Sequence, residues 1–156
     1  MTDALFSQHN HQRCITQALN SAEKICQQKN IRLTPIRKHI FELIWLNHKA
    51  VGAYDLLETL QLKDPKAKPV TIYRALDFLL ESGLVHKIES LNAFVGCLQP
   101  EFEHQSILLI CDQCHQADEV EAQPIFEGIY KIAEQNVFTP KNISLELHGI
   151  CHVCRL

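Results

Sequence analysis

Two pairs of cysteines near the end of the chain restrict its fold more than any other feature. Cys111 and Cys114 form one Cys-x2-Cys pair, and Cys151 and Cys154 form another. Two such turns present four thiolates, which make up the ligand set of a closed tetrahedral zinc site. The 36 residues between the pairs exceed the usual zinc-ribbon spacing of about 15–20. The intervening chain must therefore fold and return to the first pair. A redox dithiol is the alternative that a single pair would leave open.

The cysteine count agrees with a metal site. The 156 residues include seven cysteines, an odd number, and the amino-terminal stretch lacks a basic start and an apolar signal core. No apolar run approaches the roughly 18–20 residues that span a membrane. These features predict a cytoplasmic protein without membrane association. Its thiols would stay reduced, so metal binding is expected rather than a disulfide framework.

Helical spacing dominates the first 90 residues. The pattern predicts four helices. The first ends near Gln28, and the second begins at Pro35 after an N-cap at Thr34. The third begins near Ala53, and the fourth runs from Pro69 or Thr71 to Gly83. In the second helix the expected buried stripe is Ile36, Ile40, Leu43 and Ile44. Three or four helices followed by two short strands are typical of a winged helix-turn-helix domain.

The two short strands after Gly83 carry two unexpected residues, His86 and Cys97. A turn centred on Leu91 and Asn92 would place His86 directly opposite Cys97. Opposed residues have Cβ atoms about 4.5–5.5 Å apart, which is close enough to share an ion. His104 and Glu119 follow in the second half, and all four donors would converge where the halves meet. Nitrogen, sulfur and oxygen donors of this kind suit four-coordinate zinc. Each residue alone is more often an ordinary structural side chain.

The second half reads as strand, tight turn, strand, helix and strand. The helix carries Ile125, Ile129, Ile132 and Ala133 on one face. The last strand alternates strictly, with Ile143, Leu145 and Leu147 on one side. The predicted fold class is α+β, with a winged-helix domain at residues 1–97, a hinge at 98–103 and a small zinc-stapled α/β domain at 104–156.

Charge is distributed unevenly between the halves. Residues 1–90 hold 12 Lys and Arg against nine Asp and Glu, a net charge of +3, whereas residues 91–156 hold three against nine, a net charge of −6. A basic first half suits a polyanion. On the fourth helix Arg74 and Tyr73 point away from the apolar stripe, and Arg can bond guanine in a bidentate manner. Lys66, Lys68 and Arg37 suit phosphates. The alternative is a solvated basic face.

These motifs resemble the Fur family of metal-sensing repressors. The stretches that carry the resemblance are "RLTPIR", "AYDLL", "KPVTIYRALDFLLESGLVHKIES", "ICDQC" and the late "CHVC". They cover roughly residues 20–154, and they match the zinc-responsive members best. Iron- and peroxide-sensing members usually carry a His-rich run before the first cysteine pair, where this chain has only "EHQS".

The resemblance implies a zinc-responsive repressor of zinc-uptake genes that binds double-stranded operator DNA as a zinc-loaded homodimer. It implies two Zn²⁺ per chain, one structural, held by Cys111, Cys114, Cys151 and Cys154, and one regulatory, held by His86, Cys97, His104 and Glu119. It also makes the second half a dimerisation domain. The residues expected to contact DNA are Arg37, Tyr54, Lys66, Lys68, Thr71, Tyr73 and Arg74.

Two other functions are consistent with a zinc-stapled fold. A zinc hydrolase would need an open ligand position and a general base, which four protein ligands do not leave, so no enzyme activity is expected. A zinc-stapled protein-interaction module is the other alternative, and it would show no salt-dependent DNA binding. An ion shared by His86 and Glu119 would instead fix the angle between the two halves.

Overall fold

The computed structural model describes residues 11–46, 48–101 and 104–156. Residues 1–10 and 47 of the predicted winged-helix domain, and residues 102 and 103 of the predicted hinge, lie outside the described residues. The elements are α1 (His11–Gln28), α2 (Pro35–Trp45), β1 (Val51–Gly52), α3 (Ala53–Gln61), α4 (Pro69–Glu81), β2 (Val85–Ile88), β3 (Ala93–Gly96), β4 (Ser106–Cys111), β5 (Ala117–Glu121), α5 (Gln123–Gln135) and β6 (Glu146–Gly149). This mixture of helices and sheets confirms the predicted α+β class.

The first half is a winged helix. Helices α2, α3 and α4 pack on a three-stranded antiparallel sheet of order β1-β3-β2, and the β2–β3 hairpin is the wing. The helix boundaries agree with their sequence signals. Thr34 is the extended N-cap of α2, with Pro35 in the first turn, where its missing N–H costs nothing. Gly83 has a φ of 77° just after α4, a conformation that glycine adopts without strain.

The buried face of α2 differs from the prediction. Ile40 and Ile44 are buried as expected, but Phe41 and Trp45 complete the stripe, whereas Ile36 is 37% exposed. The two aromatic rings contact each other edge to face, with centroids 6.2 Å apart. The Trp45 indole also packs against β3. The helix is thus rotated so that its largest side chains, which gain most from leaving water, face the sheet.

The register of the wing hairpin also differs from the prediction. His86 pairs with Val95, not with Cys97, and Ile88 pairs with Ala93. The backbone N–H of Cys97 instead bonds to Leu84 O at 3.0 Å. A four-residue turn at 89–92 closes the hairpin, with Asn92 in the left-handed region at φ 46°. A shift of two positions keeps every side chain on its original face, because strand side chains alternate with period two. His86 and Cys97 therefore remain on one face as diagonal neighbours.

The second half is a sheet of order β5-β4-β6, with α5 in the connection between β5 and β6. Strand β5 is antiparallel to β4, and β6 is parallel to it. The last strand is shorter than predicted, since it begins at Glu146. Among the described residues, no helix is both long and apolar enough to cross a membrane.

An apolar face of the second half is open in the single chain. On α5 only Phe126 is buried, while Ile125 and Ile132 are more than half exposed. On β6 Leu147 is also more than half exposed. Several large apolar side chains left exposed in this way are typical of surfaces that contact another protein.

Backbone hydrogen bonds join the two halves directly. Lys49, just before β1, forms an antiparallel bridge with Gln116, just before β5. Ala50 N–H donates to His115 O at 3.0 Å, and Ala117 N–H donates to His48 O at 3.2 Å. Beside this bridge a small core draws side chains from both halves, comprising Ile88, Val95, Leu108, Ile110 and Ala117, with Ala50 packed against it. The wing therefore rests on the second sheet.

Candidate metal centres and nucleic-acid interface

Parallel pairing of β4 and β6 brings the two cysteine pairs together. Cys111, the last residue of β4, pairs with Gly149 at the end of β6, so Cys151 arrives two residues later beside Cys111. The four Sγ atoms all lie within 4.8 Å of one another, and all four are free thiols. Cys114 Sγ and Cys151 Sγ are 3.9 Å apart. A tetrahedral Zn²⁺ with Zn–S bonds of about 2.3 Å requires sulfurs about 3.8 Å apart, so the spacing fits zinc.

The four-thiol cluster is polarised by its own backbone. Cys151 N–H donates to Cys111 Sγ at 3.4 Å, and this bond with the N–H of Cys114 lowers the pKa of Cys111 to about 6. Hydrogen bonding with the Cys151 thiol, together with burial, raises the pKa of Cys154 to about 12. Burial raises the pKa of Cys114. Four thiols at this distance cannot all ionise without a cation, and thiolate is the form that binds metal.

The second cluster contains donors from both halves. His86 lies on β2, Cys97 directly follows β3, His104 precedes β4 and Glu119 lies on β5. Their ligand atoms also fall within 4.8 Å of one another. His86 Nε2 is 2.9 Å from Glu119 Oε1, His104 Nε2 contacts the same oxygen, and Cys97 Sγ is 3.6 Å from His104 Nε2. The structure thus brings together the four predicted residues despite the changed register.

Glu119 is the centre of this interdomain cluster. Burial alone would raise its pKa, but contact with His86, the Ser106 hydroxyl at 2.7 Å and the Leu98 N–H at 3.0 Å together lower it to about 2. Burial, followed by the negative charge of Glu119, raises the pKa of Cys97 to about 12. A buried thiol beside an ionised carboxylate gains from a nearby cation. The Glu119 Oε1 atom that lies 2.9 Å from His86 Nε2 also contacts His104 Nε2, so the two imidazoles and the carboxylate converge on one point.

Two groups that support Glu119 were missed by sequence reasoning. Ser106 and the backbone of Leu98 both hydrogen-bond its carboxylate, and supporting groups of this kind fix the orientation of a ligand. A polar residue at the first position of β4, opposite an acidic strand, was the available signal for Ser106. Nothing in the sequence indicates the role of the Leu98 N–H.

Most of the residues expected to contact DNA have exposed side chains. On α4 Tyr73 and Arg74 are exposed and Thr71 is half-buried, while Lys66 and Lys68 are exposed just before the helix. Tyr54 at the start of α3 is 70% exposed. This arrangement leaves their polar groups accessible to a duplex.

Arg37 is the exception within that set. Its guanidinium lies 3.8 Å from the centroid of the Phe78 ring and donates to Arg32 O at 2.7 Å. A cation held over an aromatic face in this way is partly desolvated. Arg37 therefore links α2 to α4 in addition to any contact that it makes with DNA.

The fold and the two clusters together are those of a winged-helix protein with two sets of side chains suited to bind metal ions. The profile of the ferric uptake regulator family matches residues 28–148. Over 137 residues the chain is 44% identical to the zinc uptake regulation protein of Escherichia coli K12, an alignment that covers 87% of this chain and 80% of that protein. The chain belongs to the ferric uptake regulator family.

Solved structures agree with this assignment. A zinc uptake regulator complexed with zinc and DNA is 41% identical and has a TM-score of 0.84, over 95% of this chain and 97% of that chain. Holo XcZur is 40% identical with a TM-score of 0.80, over 88% of this chain and 96% of that chain. Apo XcZur is 38% identical over 91% of this chain and 98% of that chain, but its TM-score is only 0.52. The present structure is therefore more similar to holo XcZur than to apo XcZur.

Proposed function

We propose that this protein is a zinc-responsive transcriptional repressor that binds operator DNA as a zinc-loaded homodimer and represses zinc-uptake genes. The observation that carries the proposal is the interdomain cluster of His86, Cys97, His104 and Glu119. It occurs in a chain 44% identical to a zinc uptake regulation protein. The cluster takes donors from the DNA-binding half and from the second half, so its occupancy and the relative position of the halves are linked.

We assign two zinc ions to each chain. The four-thiol cluster suits a structural ion, because thiolates close all four positions of a tetrahedron. The interdomain cluster suits a regulatory ion, which would supply bonds between donors of the two halves. Both sets consist of four protein donors. They leave a tetrahedral ion no position for a substrate, which supports a regulatory rather than a catalytic role.

The proposed regulation is a shift in population between two arrangements of the halves. His86 and Cys97 move with the wing, while Glu119 belongs to the second sheet. Moving a 1:99 equilibrium to 99:1 takes about 5.5 kcal/mol of differential binding. Structural zinc sites reach roughly 10–16 kcal/mol apparent, so a four-donor site is sufficient. The much better agreement with holo than with apo XcZur supports two distinct arrangements.

DNA recognition is assigned to the exposed face of the winged helix. Arg74 and Tyr73 would meet base edges from α4, with Thr71 nearby, and Tyr54 would do so from α3. Lys66 and Lys68 would hold phosphates. In a dimer, two α4 helices must match half-sites about one turn, roughly 34 Å, apart. The angle between the halves then decides whether both helices can bind at once.

The homodimer is assigned to the second half. The open apolar face of α5 and β6, which includes Ile125, Ile132 and Leu147, supports this assignment. We divide the chain into a DNA-binding domain at 1–97, a hinge at 98–103 and a dimerisation domain at 104–156. A regulator of this kind would work in the cytoplasm, where its thiols stay reduced.

A titration of DNA binding against free zinc tests the proposal. Duplexes are first selected from a random library with the zinc-loaded protein, and their affinity is then measured by fluorescence anisotropy in zinc buffers and with a chelator. We expect tight, salt-dependent binding only with zinc, at two zinc ions per chain by metal analysis. Equal affinity with and without zinc for selected and random duplexes would show that the proposal is wrong.

A further inference from the structure

A set of contacts outside both clusters also joins the wing to the second half. The carboxylate of Glu146 on β6 lies at the tip of the β2–β3 hairpin. Its Oε1 accepts a hydrogen bond from the N–H of Glu89 at 2.6 Å, and its Oε2 accepts one from the N–H of Ser90 at 3.3 Å. The Glu146 side chain is only 12% exposed. One partly desolvated carboxylate thus holds two successive amides of the wing turn.

His148, two residues further along β6, extends this set to the four-thiol cluster. Its Nε2 is 3.0 Å from Ser90 Oγ and 3.4 Å from Glu146 Oε2. Its Nδ1 is 3.0 Å from Oδ1 of Asp112, the residue that follows Cys111. Asp112 N–H in turn donates to Gly149 O at 2.8 Å. A continuous chain of polar contacts therefore runs from the first cysteine turn to the wing tip.

The contacts of this set are those of a hydrogen-bond network. The two ring nitrogens of His148 face different carboxylates, those of Asp112 and Glu146, so one ion cannot bind both sides of the ring. A protonated imidazole can donate to both acceptors at once. Hydrogen bonding to Asp112 correspondingly raises the pKa of His148.

The network and the interdomain cluster hold the same hairpin at two separate points. His86 and Cys97 attach its base to Glu119, whereas Glu89 and Ser90 attach its tip to Glu146. Ile88 and Val95 of the hairpin also pack in the small core shared by the two halves. Apolar packing is non-directional, so the hydrogen bonds at the tip add the directional contacts that fix the orientation of the hairpin. The hairpin follows α4 directly, so its direction also sets where the exposed face of α4 lies relative to the second half.

We propose that Glu146 and His148 are positioning residues that fix the direction of the wing when the four-thiol cluster is assembled. The inference rests on the proposed function, since it concerns the same DNA-binding state. It gives the four-thiol cluster a role in DNA affinity beyond folding, because Asp112 and β6 are placed by that cluster. By linkage, loss of the tip attachment also weakens zinc binding at the interdomain cluster.

The test compares Glu146→Ala and His148→Ala with Glu134→Ala, which removes an exposed carboxylate of α5 from the same half. In both network variants we expect metal analysis to find two zinc ions per chain at saturating zinc. Amide hydrogen exchange at Glu89 and Ser90 should accelerate. Operator affinity at saturating zinc should fall roughly 3- to 30-fold, and half-maximal response should need more free zinc. The control should behave like the wild type in all four measurements.

Two results would overturn the inference. Unchanged exchange at Glu89 and Ser90 in Glu146→Ala would show that the attachment does not form in solution. Faster exchange with unchanged operator affinity would show that the attachment does not position the wing. If Glu146→Ala loses its fold, Glu146→Leu keeps the side-chain volume without an acceptor, and the same two results apply to it. Failure of the proposed function is distinct, because the wild type itself would then lack zinc-dependent DNA binding.

Discussion

The two metal-ligand clusters are assembled in opposite ways. The four-thiol cluster takes all its donors from the second half, since Cys111 ends β4 and the other three cysteines lie just after the parallel strands β4 and β6. The interdomain cluster takes His86 and Cys97 from the wing, and His104 and Glu119 from the other side of the hinge. The first cluster therefore exists wherever the second half is folded, while the second exists only when the two halves adopt one arrangement.

This difference separates stability from response. A site whose donors belong to one folding unit contributes its binding energy to the folding of that unit. A site whose donors belong to two units contributes to their relative position, and it can be emptied without unfolding either one. A zinc ion in the four-thiol cluster would thus stabilise the fold of the second half. A zinc ion in the interdomain cluster would change the relative position of the two halves.

The largest effect is expected from removing one thiolate of the four-thiol cluster. Cys111→Ser or Cys154→Ser should unfold the second half and abolish dimerisation, because it forfeits much of the roughly 10–16 kcal/mol that structural zinc supplies. Circular dichroism, sedimentation and zinc analysis measure the outcome. The control is Cys14→Ser, on α1 outside both clusters, which should remain a dimer. A stable Cys111→Ser dimer with wild-type zinc content would contradict the structural assignment.

The next effect is loss of response without loss of fold. Cys97→Ser, His86→Ala and Glu119→Ala should remain dimers that hold one zinc ion per chain. Their operator affinity at saturating zinc should fall about 100-fold, as for a protein left in a 1:99 equilibrium. Cys97→Ser should be the most severe, since thiolate is the softest of the four donors. A wild-type zinc response in Cys97→Ser would show that the hairpin does not supply Cys97 as a ligand of the regulatory ion.

A smaller effect, independent of both clusters, is expected on the DNA face. Arg74→Ala should lower operator affinity by about 1–3 kcal/mol and relax base preference at one position per half-site. Lys66→Ala or Lys68→Ala should weaken binding to all sequences and flatten the salt dependence. Anisotropy on operator and random duplexes distinguishes them, and zinc content should stay at two per chain. An equal loss on both duplexes for Arg74→Ala would make Arg74 a phosphate contact.

The smallest expected effect is a change in tryptophan fluorescence that reports zinc binding at the interdomain cluster and not at the four-thiol cluster. Trp45 is the single tryptophan of the chain, and its ring packs so closely on β3 that a Cβ at Gly96 would overlap it. Because Gly96 precedes Cys97, the fluorescence of Trp45 should change slightly when the interdomain cluster fills. The change should be absent in Cys97→Ser. An identical change in that variant would assign the signal to the other cluster.

Much of the fold could be predicted because its signals are local. Thr34 and Pro35 begin α2, Gly83 follows α4, and the elements match their predicted types except for β1, which was not predicted. The spacing of the cysteine pairs likewise required a return of the chain, which β6 provides. Such features depend on near neighbours in sequence, so pattern and propensity are enough to find them.

The wrong predictions concern features that depend on packing between residues far apart in the sequence. Helical spacing allowed α2 to bury either Ile36 or Phe41, and the fit of Trp45 against β3 selected the second face. The hairpin register depended on whether the turn has two residues or four, which the sequence "ESLN" does not decide. The network of Glu146 and His148 could not be predicted, because its partners Glu89 and Ser90 are more than 50 residues away.

The diagonal placement of His86 and Cys97 on the wing limits how this sensor can be exchanged between proteins. Diagonal neighbours in an antiparallel pair have Cα atoms about 7–8 Å apart, and only two donors come from the hairpin. A winged helix cut from this chain and fused to another dimerisation unit would carry its DNA contacts but not its metal response. In the proposed mechanism, sensing is a property of the junction between the two halves. On that mechanism, recombination that exchanges whole domains among relatives must carry a matching Glu119 and His104 with every wing, or it produces a regulator that no longer responds to metal.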